Sequence, residues 1–422
     1  MSAELQSFVD KKELLIKRHK NGLWSIIHPR KDTEVVSLQV WFKVGSVYER
    51  ENERGIAHFL EHMLFNGNDK YAYGEAEALI ESLGGHINAA TSKEYTYYYV
   101  DIAAPYWKEG LDVLFHLTMR ATLEEKMIEK EKPIVLEELY RAKDNPTTQL
   151  WWTFEKEVYK VSPFRHPIIG YEKTIKNFTR PMLLSFYQGF YQPKNATVVV
   201  VGNIDPLEVQ KFIEETFAAE PSKPIPKRYI PNEPPQLKVR SKTLTDPRIG
   251  KDKSYALIGW RIPPIGTLED FDLLVLNEIL TGGRSSILYT QLREKGIVYS
   301  VSSYDFARSR DNLFAISSSQ HPDNIETFKK RLFEIFEEIY NTITDEEVER
   351  FKNRLINAEL FEKEEPESEA VFFGYSQTVV GKINYALYFF ENIRKVKAEH
   401  IRLVLEKYIL NKPYTETFLL PS

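Results

Sequence analysis

His58-Phe59-Leu60-Glu61-His62 sets two imidazoles four residues apart, with a carboxylate directly before the second. On a helix, positions i and i+4 share a face one turn apart. At that spacing two histidines can grip one zinc ion and leave coordination positions open. Glu61, at i+3, stands beside them, where it can accept a proton from a water held there. Ile56, Ala57, Phe59, Leu60, Met63, Leu64 and Phe65 make the helix apolar on most sides, so it should be largely buried. Buried polar groups without partners cost roughly 2–7 kcal/mol each, and one metal would satisfy all three. The plainer reading is an amphipathic helix with polar residues on its wet face.

A catalytic zinc takes a third protein ligand. The segment Glu131-Lys132-Pro133-Ile134-Val135-Leu136-Glu137-Glu138-Leu139-Tyr140 offers donors. Glu131 and Glu138 lie two helical turns apart and share a face. Glu137 points about 100° away from Glu138, so one of that pair reaches a metal. Pro133 fits best in a first helical turn, or else it kinks a longer helix. By itself the segment reads as a solvated acidic face.

The elements that must position these groups repeat. Val35–Phe42 and Tyr95–Ile102 read as strands, with helices over the His58 segment and Tyr73–Leu83 between them. In the second half Ser254–Trp260, Tyr299–Tyr304 and Asn312–Ser319 read as strands, with helices over Phe271–Leu280 and Ser286–Arg293. Each half closes on a helix, a short proline turn and an apolar strand, at Phe190–Val201 and at Tyr408–Leu420. The helix over Phe271–Leu280 stands where the His58 helix stands and has no histidine, so one half alone can hold the metal. Glu220–Pro235 carries Pro221, Pro224, Pro226, Pro231, Pro234 and Pro235, a density that favours a stiff, extended connection. The expected class is α+β: two homologous domains, each a mixed sheet packed with helices, over residues 1–219 and 244–422, joined by a Pro-rich linker over 220–243.

At 422 residues the chain is too long for one core. It has no cysteine, which excludes disulfides, thiol catalysis and cysteine-ligated metals and leaves His, Asp and Glu as donors. The absent cysteine, few methionines and abundant Lys, Glu and Tyr lean towards a thermophile. A net charge of −5 gives no electrostatic reason to invoke nucleic acid. No apolar run is long enough for a membrane span. Met1–Gln6 lacks the basic start and apolar stretch of a secretory signal, so a cytoplasmic address is expected.

The run through Gly45-Ser46, Glu49, Gly55-Ile56-Ala57-His58-Phe59-Leu60-Glu61-His62-Met63-Leu64-Phe65 and Gly67 resembles the insulinase/pitrilysin/mitochondrial-processing-peptidase family of zinc metallopeptidases, which carry the inverted His-x-x-Glu-His order. Family members place a third ligand, a glutamate, about 75 residues beyond the second histidine; Glu138 is 138 − 62 = 76 residues on. The resemblance implies His58, His62 and Glu138 as ligands of one zinc per chain, Glu61 as general base and Glu131 as a catalytic-site carboxylate behind the ligands. Asn68 stands where relatives often have threonine. The resemblance also implies that Asn88 and Ala89, in the segment Gly84–Ser92, hold substrate backbone along a sheet edge; without it, a plain turn and strand is the simpler reading. Arg293 and Tyr299 match by type an arginine and a tyrosine that stabilise the oxyanion. They are 299 − 293 = 6 apart, one fewer than in relatives, and a surface arginine with a core tyrosine is the alternative. Thr281–Ser286 lacks a P-loop lysine. His86, His116, His166, His321 and His400 have no ligand spacing. Zinc-dependent hydrolysis of short or unfolded peptides follows from the resemblance, with a second subunit, identical or related, completing a chamber. The alternative is a non-catalytic peptide-binding or scaffold subunit of a two-chain assembly.

Overall fold

Among the residues that the computed structural model describes, 14–422, eleven segments form strands in two sheets. The Met1–Gln6 segment lies outside the described residues. The first sheet uses β1 (Leu15–Arg18), β2 (Trp24–Pro29), β3 (Val35–Phe42), β4 (His86–Thr91), β5 (Thr96–Ala103) and β6 (Ala196–Gly202) in the order β1-β2-β6-β3-β5-β4. The second uses β7 (Arg240–Asp246), β8 (Ser254–Ile262), β9 (Ser300–Asp305), β10 (Asn312–Gln320) and β11 (Thr415–Pro421) in the order β7-β11-β8-β10-β9. The orders are the same once β1 is set aside. In each sheet one parallel pair, β2 with β6 or β7 with β11, is followed by antiparallel neighbours. Two mixed sheets of one topology are what the repeated sequence plan requires.

Each sheet is covered by helices. In the first unit these include α1 (Ile56–Leu64), α2 (Glu75–Ser82) and α3 (Trp107–Met119); α4 (Glu125–Asp144) follows, its residues up to Tyr140 in the same unit. Strand β5 alternates strictly: Thr96, Tyr98, Val100 and Ile102 are buried, and the residues between them are half-buried. Period-two geometry sends those sets to opposite faces. On one face Gly110 of α3 lets the helix close on Leu38, Val100 and Ile102. Six side chains of α1 are fully buried: Ile56, Ala57, Phe59, Leu60, Met63 and Leu64. The five larger than alanine contribute about 1.5–3 kcal/mol each, which anchors a helix too short to stand alone in water.

The compact units do not follow contiguous halves. One takes in the described residues up to Tyr140, with His166–Ile230 and Leu360–Leu387; the other takes Arg141–Arg165, Pro231–Glu359 and Tyr388–Ser422. Each therefore borrows a helix from the other half of the sequence. In the second unit the borrowed helix is α5 (Pro146–Val158), packed on β7, β8 and β11; the unit's own helices include α6 (Leu268–Thr281). Buried Arg308 fastens α5 there: it pairs with Glu155 at 2.5 Å, donates to the Tyr159 hydroxyl at 2.6 Å and stacks over Phe164 and Phe306. In the first unit the borrowed helix is α7 (Pro366–Tyr375), whose Ala370 and Phe373 pack with Ile26, Trp41, Val199 and Val201. Gly374 meets the Trp41 indole so closely that no Cβ fits between them. Residues 221–238 form no helix or strand, in keeping with the proline density there.

Candidate metal centre

The start of α1 is set by a carboxylate from outside the helix. The buried side chain of Glu49 accepts hydrogen bonds from the backbone N–H groups of Gly55 and Ala57, both at 2.9 Å. These are orphan donors of a helix N-terminus. Gly55 takes φ +97°, in the left-handed region, and a Cβ there would collide with the Ile169 carbonyl. Burial pushes the Glu49 carboxyl up to about 8, against the two backbone N–H groups and Arg54, which favour the charged form.

From that fixed start, His58 and His62 fall on one side of α1, ring centroids 4.8 Å apart. Glu138 reaches them from α4. His58 Nε2 lies 3.6 Å from Glu138 Oε1, and His62 Nε2 lies 3.6 Å from Glu138 Oε2. Among the described residues these three are the one group able to hold a metal ion, with donor atoms all within 4.8 Å of one another. Glu137 is exposed, turned away on the same helix. Pro133 lies inside α4 rather than in its first turn. The helix continues through it and carries Glu131 and Glu138 on either side.

These donors suit a zinc ion better than they suit each other. A separation of 3.6 Å is too long for a hydrogen bond. It is close to the roughly 3.3 Å that separates neighbouring ligands of a tetrahedral zinc with bonds of about 2.0–2.1 Å. His62 is oriented from behind, its Nδ1 3.0 Å from Glu131 Oε1, which directs Nε2 towards Glu138. Asn66 donates from Nδ2 to Glu131 Oε2 and to the His62 carbonyl, both at 3.0 Å. His58 has no such support: its Nδ1 is buried without a hydrogen-bond partner among the described residues, so packing sets its orientation. Glu61 Oε2 is likewise buried and unpartnered.

Burial, reinforced by the neighbouring His62, lowers the His58 pKa to about 4, so this imidazole is neutral and available as a ligand. For His62 burial acts downwards, but the Glu131 hydrogen bond and the charges of Glu131, Glu61 and Glu138 outweigh it and the pKa is raised. For Glu131 burial acts upwards, and the His62 and Asn66 hydrogen bonds outweigh it, leaving the carboxyl below its usual range. A proton on His62 competes with the metal. Zinc affinity should therefore fall as pH drops from neutrality, by about tenfold per unit once His62 is protonated in the metal-free protein. Chelator competition from pH 8 to pH 5.5 measures this, and a flat profile would contradict the assignment of His62 as a ligand.

Asn88 and Ala89 lie on β4, the edge strand next to α1. Ala89 is paired with Tyr98 and shares its face, the α1 side; Asn88 is paired with Tyr99 on the other face, and its Oδ1 accepts from the Ala89 N–H at 2.9 Å. Arg293 and Tyr299 belong to the second unit, where both are exposed; the Tyr299 hydroxyl donates to the Asp252 carbonyl at 3.0 Å. Asn68 accepts from the backbone N–H groups of Lys70 and Tyr71 and closes a turn. His116 pairs with Asp69 and His86 stands edge-on to Tyr99. Reading the sequence did not single out Asn66. Its place four residues after His62, one helical turn on, was the available signal.

The family model for insulinase (peptidase family M16) matches residues 26–170, and that for the peptidase M16 inactive domain matches residues 177–355. A Rickettsia felis protein bearing the name uncharacterized zinc protease is 30% identical over 399 residues, 93% of this chain and 94% of that one. The solved structure of a protease from Helicobacter pylori superposes with a TM-score of 0.91 at 24% identity, covering 97% of this chain and 99% of that one. The periplasmic protease PqqL from Escherichia coli matches with a TM-score of 0.78 at 20% identity; 97% of this chain corresponds to 48% of that chain. His58, His62 and Glu138 all fall in the first matched region, and the histidine-free helix α6 falls in the second.

Proposed function

Because the chain belongs to the insulinase family, peptidase family M16, we propose that it is a zinc-dependent endopeptidase acting on short or unfolded peptides, with one zinc per chain. The observation that carries this reading is the convergence of His58, His62 and Glu138 on one point beside the buried Glu61 carboxylate. Zinc held by those three would supply a Lewis acid that acidifies water and polarises the scissile carbonyl. Glu61 acts as the base: burial raises its pKa, which suits a carboxylate that must take a proton and then return it to the leaving amine. Glu131 keeps the His62 ring turned. On the family resemblance, Asn88 and Ala89 hold substrate backbone, and Arg293 and Tyr299 stabilise developing negative charge.

A second subunit, identical or related, is part of the proposal. Its support is that PqqL is about twice the length that this chain matches. Stoichiometric zinc in the purified protein, with cleavage of an unstructured peptide that stops on chelation and resumes on adding zinc, is the expected result. Peptide bound but left intact by the zinc-loaded protein would favour a scaffold subunit instead.

A further inference from the structure

We propose that Asn66 is a positioning residue for the metal centre, coupling the two helices that carry all the candidate ligands. The inference rests on the zinc reading above and goes beyond it to a side chain outside the ligand set. Asn66 sits just past the last turn of α1, where backbone carbonyls lack helical partners. Its Nδ2 donates to one of them, that of His62, at 3.0 Å. The same nitrogen donates to Glu131 Oε2 on α4, also at 3.0 Å. Glu131 uses its other oxygen, Oε1, to hold His62 Nδ1.

The result is a closed loop in which His62 is gripped at its ring and at its carbonyl. Among the described residues, Asn66 is the one hydrogen-bond donor to Glu131 Oε2. Without it the Glu131 carboxylate can turn about its last side-chain bond, and the His62 ring loses its fixed orientation. The role needs a donor. Both partners are acceptors, so the amide is oriented with nitrogen towards them, and Oδ1 is left buried and unpartnered. An isosteric carboxylate would place an acceptor against two acceptors. Asn66 is 8% exposed, so water is poorly placed to substitute.

The test is zinc affinity by chelator competition, with thermal unfolding of the metal-free proteins alongside. The variants are Asn66→Leu, similar in volume without a donor, and Asn66→Asp, similar in shape with the wrong polarity. Glu131→Ala is made alone and combined with Asn66→Leu. Loss of a partner behind a ligand weakens metal binding by roughly 10–100-fold. Asn66 stands one bond further out, so a loss near the lower end is expected in both Asn66 variants. Asn66→Leu should add nothing on the Glu131→Ala background. Wild-type zinc affinity in Asn66→Leu or Asn66→Asp, or full additivity in the double variant, would overturn the proposal while leaving the zinc site standing. A wild-type protein that binds no zinc would remove the zinc reading and this inference together. Should Asn66→Leu not fold, Asn66→Ala is read by the same criteria.

Discussion

Glu61→Gln should bind zinc as tightly as the wild type and hydrolyse peptide about 10²–10⁴-fold more slowly, the range that a positioned general base contributes. The substitution keeps shape and removes the capacity to accept a proton. Glu61 is not among the three residues whose donors converge, so metal content should not change. Nor should folding suffer. Burial raises the Glu61 pKa, so the charged form is the costly one in the native state. A carboxyl whose pKa is raised on folding contributes stability at low pH that is lost as pH rises through its folded value. A neutral amide escapes that loss, so the metal-free variant should unfold no lower than the wild type near pH 7. The measurement is kcat on a peptide substrate with zinc content determined on the same sample. Turnover within a few-fold of wild type at full zinc occupancy would remove Glu61 from the base role.

The parts of this centre that were legible in the sequence are those fixed by local periodicity. His58 and His62 lie a turn apart on α1, and periodicity allowed one of Glu137 and Glu138 to face them; the choice of Glu138, which the structure places beside them, came from the family resemblance. The strand segments of the two halves were legible as short apolar runs, and they pair into sheets of one order. What periodicity does not carry is choice of partner. Nothing in the patterns of α5 and α7 says that each covers the sheet built from the other half. That choice is made by contacts such as Gly374 against Trp41 and Arg308 against Glu155, which join residues far apart in the chain. Pro133 takes the second of its two readings, a place inside a longer helix. A proline is costly inside a helix, yet α4 runs through it, with Glu131, Val135 and Leu139 buried around it. Glu49 was part of the run that carries the resemblance, but its role at the start of α1 was hidden, as Asn66 was, because a side chain that satisfies backbone groups leaves no repeating signature.

Glu138→Ala should weaken zinc binding by more than the roughly 100-fold upper range seen when an outer partner is lost, because it removes one of the three converging donors. Glu137→Ala, one residue and about 100° away on the helix, should leave zinc affinity near that of the wild type. The contrast isolates position from charge, since both variants delete one carboxylate from the same turn of α4. It also isolates the metal from the fold: Glu138 is 42% exposed at its side chain, so its loss opens no buried cavity. Surface substitutions of that kind usually change stability by within about 0.5 kcal/mol. Without Glu138, His58 and His62 remain close and Glu131 still orients His62, so residual weak binding by two imidazoles is expected. Chelator competition on both variants, with apo thermal unfolding as control, decides the matter. Equal losses in the two would mean that overall negative charge, and not a coordinated carboxylate, governs the site.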